Sequence, residues 1–170
     1  MNNFYKFGET VTGYDIPVLN EREIRAAAGI WFTLMLTGIN IVLMKLNFVF
    51  LKYLIVAFFT DFVIRVAVSP KLSPSLILGR LLVRNQTPEY VGAQQKFFAW
   101  MIGVVLSLVM LVLIVIMNTF SPVTGLICFA CLIFLLFESA FGICIGCKLY
   151  PLIYKEKARY CPGEVCDLNP

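Results

Sequence analysis

The chain has 170 residues, enough for one compact domain. Hydrophobic residues make up 60% of it, charged residues only 14%, and the mean hydropathy is +0.86. These values lie outside the usual range of water-soluble domains. The net charge is +4, but the basic residues flank apolar runs instead of gathering on one face, which argues against a nucleic-acid partner. No histidine is present, which removes the commonest general base and metal ligand.

Residues 1–25 are polar and mixed in charge, with Lys6, Glu9, Asp15, Glu21, Arg22, Glu23 and Arg25, so they do not read as a secretory signal peptide. A hydrocarbon layer about 30 Å thick needs about 20 apolar residues in helix. Four runs meet that length: Ala27–Met44, Phe48–Val68, Phe97–Met117 and Val123–Leu149. The last is long enough to tilt or to break near its end. Only Lys45, Leu46 and Asn47 separate the first two runs, and Asn118–Pro122 separates the last two, so each pair reads as a tight antiparallel hairpin. Helix is the expected form because lipid offers no partner to an open backbone. Continuous runs such as Val104–Met117 lack the alternation of a membrane barrel.

The connection 69–96 differs in kind. Ser73-Pro74 predicts a helix start, with serine as cap and proline in the first turn. Leu76, Ile77, Leu81 and Leu82 follow, interleaved with Arg80 and Arg84. The pattern fits an amphipathic helix at a membrane surface, or one packed on the ends of the bundle.

Eleven lysines and arginines fall in the N-terminal segment, the long connection and its flank, and the tail. Lys45 and Lys52 fall on the other side. That bias places both termini in the cytoplasm. The expected fold is therefore an all-α integral membrane protein: a four-transmembrane-helix bundle with a short amphipathic interfacial helix. Residues 1–26 form a cytoplasmic segment, 27–149 the bundle, and 150–170 a cytoplasmic, cysteine-containing tail.

Charges inside these runs stand out because lipid penalises them. Asp61 and Arg65 are four apart, share a helix face and can pair. Glu138 lies deep in the fourth run with no evident partner, and Asn40 adds a polar group to the first. Asp61, Arg65 and Glu138 are the buried polar candidates for a ligand or proton path. A structural ion pair is the simpler reading of the first two.

Six cysteines lie in the last quarter of the chain, as the pairs Cys128/Cys131, Cys144/Cys147 and Cys161/Cys166. Cys128 and Cys131 sit among apolar residues, where free cysteine packs as a small hydrophobe. The other pairs fall near or in the cytoplasm on the expected topology, where structural disulfides are rare. Redox chemistry, sulfur transfer and metal binding remain open for them. If the helix runs unbroken, Cys131 and Glu138 lie within roughly 20° of each other at 100° per residue, while Cys144 and Cys147 point elsewhere. Those two then sit at a helix C-terminus, which disfavours a thiolate. Cys161, beside Arg159 and before a Pro162-Gly163 turn that can return Cys166, is better placed for attack. Four thiolates from Cys144, Cys147, Cys161 and Cys166 also suit zinc or iron, although the spacing is not that of a zinc ribbon.

Several stretches together resemble a bacterial membrane family known as domain of unknown function 4395. They are Asn20-Glu-Arg-Glu-Ile-Arg25, Asp61 with Arg65 and Ser69-Pro70, Lys96-Phe-Phe-Ala-Trp100, Gly142-Ile-Cys-Ile-Gly-Cys147 and Cys161-Pro-Gly-Glu-Val-Cys166. The resemblance covers most of residues 15–166. It implies a bacterial inner-membrane location and no particular reaction. The expected function is thiol–disulfide redox or sulfur relay. Cys161 attacks, Cys166 resolves, and Cys144 and Cys147 exchange with them. A quinone or a thioredoxin-like protein would complete the circuit, and a homo-oligomer stays open. The alternatives are a non-catalytic membrane scaffold and a four-cysteine metal protein.

Overall fold

The structure, a computed structural model, describes residues 7–147 and 149. Cys161 and Cys166 lie outside the described residues. Asn20 opens the first helix, α1 (Glu21–Lys45). Its side chain accepts from the Arg22 amide at 3.2 Å and donates to Glu23 at 3.1 Å, so the first turn begins fully capped. The helix ends where Leu46 takes a left-handed conformation (φ 50°). The Asn47 side chain then accepts from the Val49 amide at 3.0 Å and starts α2 (Val49–Val63). This is the hairpin expected from the short gap.

Past Val63 the helix widens into a π segment, Ile64–Val68, which carries Arg65. Pro70–Leu72 forms one 3-10 turn, and α3 (Pro74–Val83) follows. Ser73 caps α3 through the Leu76 amide, with Pro74 in the first turn, as the sequence predicts. The helix α4 (Ala93–Met110) continues into a second π segment, Leu111–Ile116. The last helix, α5 (Pro122–Phe141), begins with a capping box between Ser121 and Thr124. Among the described residues three helices are long and apolar enough to cross a membrane: α1, α4 with its π continuation, and α5.

Two features add to the sequence reading. The N-terminal segment is not a simple tail. Strand β1 (Val18–Asn20) pairs antiparallel with β2 (Tyr90–Gly92), and Glu9 bridges to Val18. This small sheet ties the start of α1 to the start of α4. The fourth apolar run breaks before Leu149, one of the outcomes its length allowed. Gly142 turns left-handed (φ 64°) and ends α5. Arg25 covers that end, donating to the carbonyls of Ser139 at 3.5 Å and Ala140 at 3.1 Å. A cation on the last carbonyls complements the helix dipole.

The core runs along the shared axis of α1, α2, α4 and α5, through Trp31, Met35, Phe58, Phe62, Trp100 and Leu135. Helix α3 lies across the start of α1. Gly79 makes that crossing close, since a Cβ there would stand 2.5 Å from the Glu23 carbonyl oxygen. The outer surface is apolar too: Leu43, Tyr53, Val105, Leu126 and Phe129 are all exposed. Asn40 faces outward and donates to its own helix at Leu36, so it lines no path between helices. At the far end the two hairpin turns meet, with Phe48 against Phe120 and Lys52 donating to Asn118.

Candidate functional site

Two buried polar clusters lie at the end of the bundle that carries the small sheet. The first is built on Asp61. Arg65, one turn further on, reaches it at 2.9 Å, and both side chains are almost fully buried. Ser73 and Ser75 donate to the carboxylate at 2.7 and 2.6 Å, the Ser75 amide at 3.1 Å, and the Trp31 indole at 3.1 Å. The Arg65 guanidinium lies 4.5 Å from the Phe62 ring centre and 5.3 Å from that of Trp100. A buried ion pair is stabilising only when its remaining polar groups also find partners, and here the carboxylate accepts from five side-chain and backbone donors besides the salt-bridging Arg65 Nη2. The cluster locks α2, α3 and α1 together, and its saturation leaves the carboxylate no free lone pair to offer a ligand.

The second cluster is centred on Lys96, in the first turn of α4. Its ammonium is 1% exposed and lies 2.8 Å from Glu21 Oε2 and 3.0 Å from Glu138 Oε1. Glu21 is wholly buried and Glu138 17% exposed. Glu21 Oε2 makes no directional hydrogen bond, so the ion pair with Lys96 is what holds it. Lys96 thus supplies the partner that the sequence did not reveal for Glu138. The sheet explains how a lysine reaches that depth. The antiparallel pair fixes both helix starts, the Glu21 amide donating to the Glu89 carbonyl at one end and the Ala93 amide to the Pro17 carbonyl at the other, and Lys96 lies one helical turn beyond Ala93.

The thiols complete this cluster. After Gly142 and Ile143 the chain enters a new helical turn at 145–147, with Cys144 immediately before it. The Cys147 amide donates to the Cys144 sulfur at 3.3 Å, and the Cys147 thiol faces the same sulfur at 2.6 Å. The expectation that this pair sits at a helix C-terminus therefore gives way. The left-handed Gly142 ends α5 and lets Cys144 lead the next turn. Both thiols are free and buried, and both lie within electrostatic reach of Lys96. Gly146 brings this turn against α4, where an added Cβ would stand 2.7 Å from the Cα of Ala99.

A cavity of about 90 Å³ opens beside this cluster. Cys144, Glu138 and Cys131 line it together with Phe58, Phe62, Trp100 and Phe134. Glu138 and Cys144 thus share one space, which an unbroken helix would not have allowed. The Trp100 indole nitrogen is buried and has no hydrogen-bond partner among the described residues. Cys131 also lines a second, smaller apolar cavity, of about 30 Å³, that Cys128 shares. Among the described residues no three cysteine or carboxylate side chains converge as a metal site.

The architecture defines a helical protein with three membrane-length helices, a saturated ion pair beside them, and a second charge cluster opening on a dithiol. The chain belongs to the family described as "Domain of unknown function (DUF4395)", which matches residues 19–155. That range includes both charge clusters and Cys144 with Cys147, and stops before Cys161. No curated protein and no solved structure matches the chain.

Proposed function

We propose that the chain crosses a membrane four times and carries a thiol–disulfide redox centre at Cys144 and Cys147. The three membrane-length helices support the first part. The fourth crossing is α2 with its π segment, whose charges Asp61 and Arg65 neutralise each other. The apolar outward surface supports a lipid solvent. An even number of crossings leaves both termini on one side, and the lysine and arginine excess there argues for the cytoplasm. Exposed Leu78, Leu81 and Leu82 beside Arg84 suit α3 to the membrane interface.

One observation carries the redox reading: the Cys144 sulfur accepts both the thiol and the amide of Cys147. The thiolate is the nucleophile in exchange, and Cys144 is the sulfur that the Cys147 thiol and amide both face. Cys144 is therefore the attacking residue and Cys147 the resolving one. The Cys144 thiolate attacks one sulfur of a substrate disulfide, and the other sulfur leaves as a thiolate. The Cys147 thiolate then attacks Cys144, closing the Cys144–Cys147 disulfide and releasing the second substrate sulfur. Two electrons pass to the substrate, and the buried ammonium of Lys96 stabilises the anionic sulfurs in between. Run in reverse, the same steps oxidise a dithiol such as Cys161 and Cys166, which the sequence places shortly after.

Exchange with a substrate is tested by trapping. A Cys147→Ser chain should accumulate a mixed disulfide on Cys144 that dithiothreitol releases. A Cys144→Ser chain should accumulate none on Cys147. Equal trapping on both, or on neither, would remove the assignment. The metal reading uses Cys144 and Cys147 together with Cys161 and Cys166, and no observation at the described pair favours it over exchange. The scaffold reading draws on the Asp61 cluster, whose saturated hydrogen bonds suit a purely structural role.

A further inference from the structure

We propose that the cavity beside Cys144 admits the ring of a membrane quinone, which takes the electrons of the Cys144–Cys147 dithiol. This inference rests on the redox reading above. Its independent support is the form of the cavity. The walls are aromatic, from Phe58, Phe62, Trp100 and Phe134, and fit the faces of a flat ring. The same lining carries a thiol and a carboxylate, Cys144 and Glu138. Trp100 adds a buried indole N–H without an acceptor among the described residues, a donor suited to a ring carbonyl.

Two residues of the lining, Phe134 and Leu149, are 38% and 41% exposed and join the cavity to the apolar outer surface. A ring enters there edge-first and leaves its hydrocarbon tail among lipid chains. The cavity, about 90 Å³, holds the reacting edge, and the open side accommodates the rest. Cys144 and Cys147 are 7% and 6% exposed. A ring delivered from within the bundle reaches such sulfurs more readily than the surface of a folded protein does. Glu138 stays tethered to Lys96 at 3.0 Å and is placed to pass a thiol proton towards the ring oxygen.

The chemistry balances. The Cys144 thiolate adds to the quinone ring and forms a carbon–sulfur bond. The Cys147 thiolate attacks the Cys144 sulfur, and that carbon–sulfur bond breaks as the disulfide forms. The bonding pair leaves with the ring. Two electrons and the two thiol protons have then moved to the quinone, which departs as hydroquinone.

The test uses the full chain, purified in detergent, reduced and freed of reductant, with decyl-ubiquinone as probe. Hydroquinone is followed by its ultraviolet absorbance, and the Cys144–Cys147 disulfide by mass spectrometry. The proposal expects one hydroquinone for each disulfide formed. Leu106→Trp, which fills the cavity wall, should slow the quinone reaction at least tenfold. The small water-soluble oxidant diamide should still close the disulfide in that variant, which shows that it has folded. Ile102→Phe, on the same wall, gives the same test if Leu106→Trp fails to fold. Quinone reduction at an unchanged rate in the plugged, folded variant would overturn the proposal. So would a wild-type chain oxidised by diamide but not by the quinone, which would leave the redox reading standing. A pair that neither reagent joins would remove both.

Discussion

Replacing Lys96 by methionine removes the ammonium shared by Glu21 and Glu138 while nearly keeping the side-chain volume. In the wild type that ammonium stands 2.8 Å from one carboxylate and 3.0 Å from the other, and Lys96 itself is 1% exposed. Taking one member out of a buried ion pair costs about 3–5 kcal/mol, because the charge left behind has neither water nor partner. Here two carboxylates are left. For a chain of this size each 1 kcal/mol moves the melting temperature by about 2–4 °C, so the Lys96→Met chain should melt about 10 °C or more below the wild type. The assay is a thermal melt in detergent, followed by tryptophan fluorescence. Changing Glu21→Gln and Glu138→Gln in the same chain removes both stranded charges and should recover most of the loss, since a neutral set of similar volume is often as stable as the ion cluster. A Lys96→Met chain that melts within 2 °C of the wild type would refute the reasoning. So would a triple variant no more stable than the single one.

Other outcomes follow from the same geometry. Gly146→Ala places a methyl 2.7 Å from the Cα of Ala99. Overpacking of this kind costs about 1–3 kcal/mol, and it should push the dithiol turn off α4, seen as a lower melting temperature and faster alkylation of Cys147. Ser73→Ala removes both the cap of α3 and a donor to Asp61. A loss of about 1–3 kcal/mol is expected from stranding that acceptor, measured by the same melt, and a neutral result would show that Asp61 is not held as described. Cys128→Ala should cost about 1 kcal/mol for the lost packing and leave oxidation of Cys144 and Cys147 by diamide unchanged. Membranes washed at high pH should retain the chain until detergent is added, and release into the wash would contradict four crossings.

Much of the bundle was legible because helix signals are local. The Ser73-Pro74 start and the four-residue spacing of Asp61 and Arg65 depend on a few neighbouring side chains, and both are found in the structure. What escaped the sequence depends on distant chain segments. Ser75 and Trp31 bind Asp61 only because α3 folds back over α2 and α1. Lys96 reads as one more basic residue flanking an apolar run, yet it is buried. The available signal was Glu138, a carboxylate in an apolar run that requires a counter-charge. The strands Val18–Asn20 and Tyr90–Gly92 are three residues each, too short for any periodicity to show. The direction of Cys144 and Cys147 turned on one residue. Carrying helical rotation through Gly142 placed them away from Glu138, and the left-handed conformation there brings Cys144 back to the same cavity.

The central claim is that Cys144 and Cys147 gain and lose a bond to each other while the chain works. Differential thiol labelling tests it most directly. Cells expressing the chain are quenched in acid and their free thiols blocked with a light alkylating reagent. The protein is then reduced, labelled with a heavy form and read by mass spectrometry at these two residues. The account predicts paired heavy label on Cys144 and Cys147, rising when cells are exposed to diamide and falling when reductant is added. Light label on both sulfurs under every condition would contradict it.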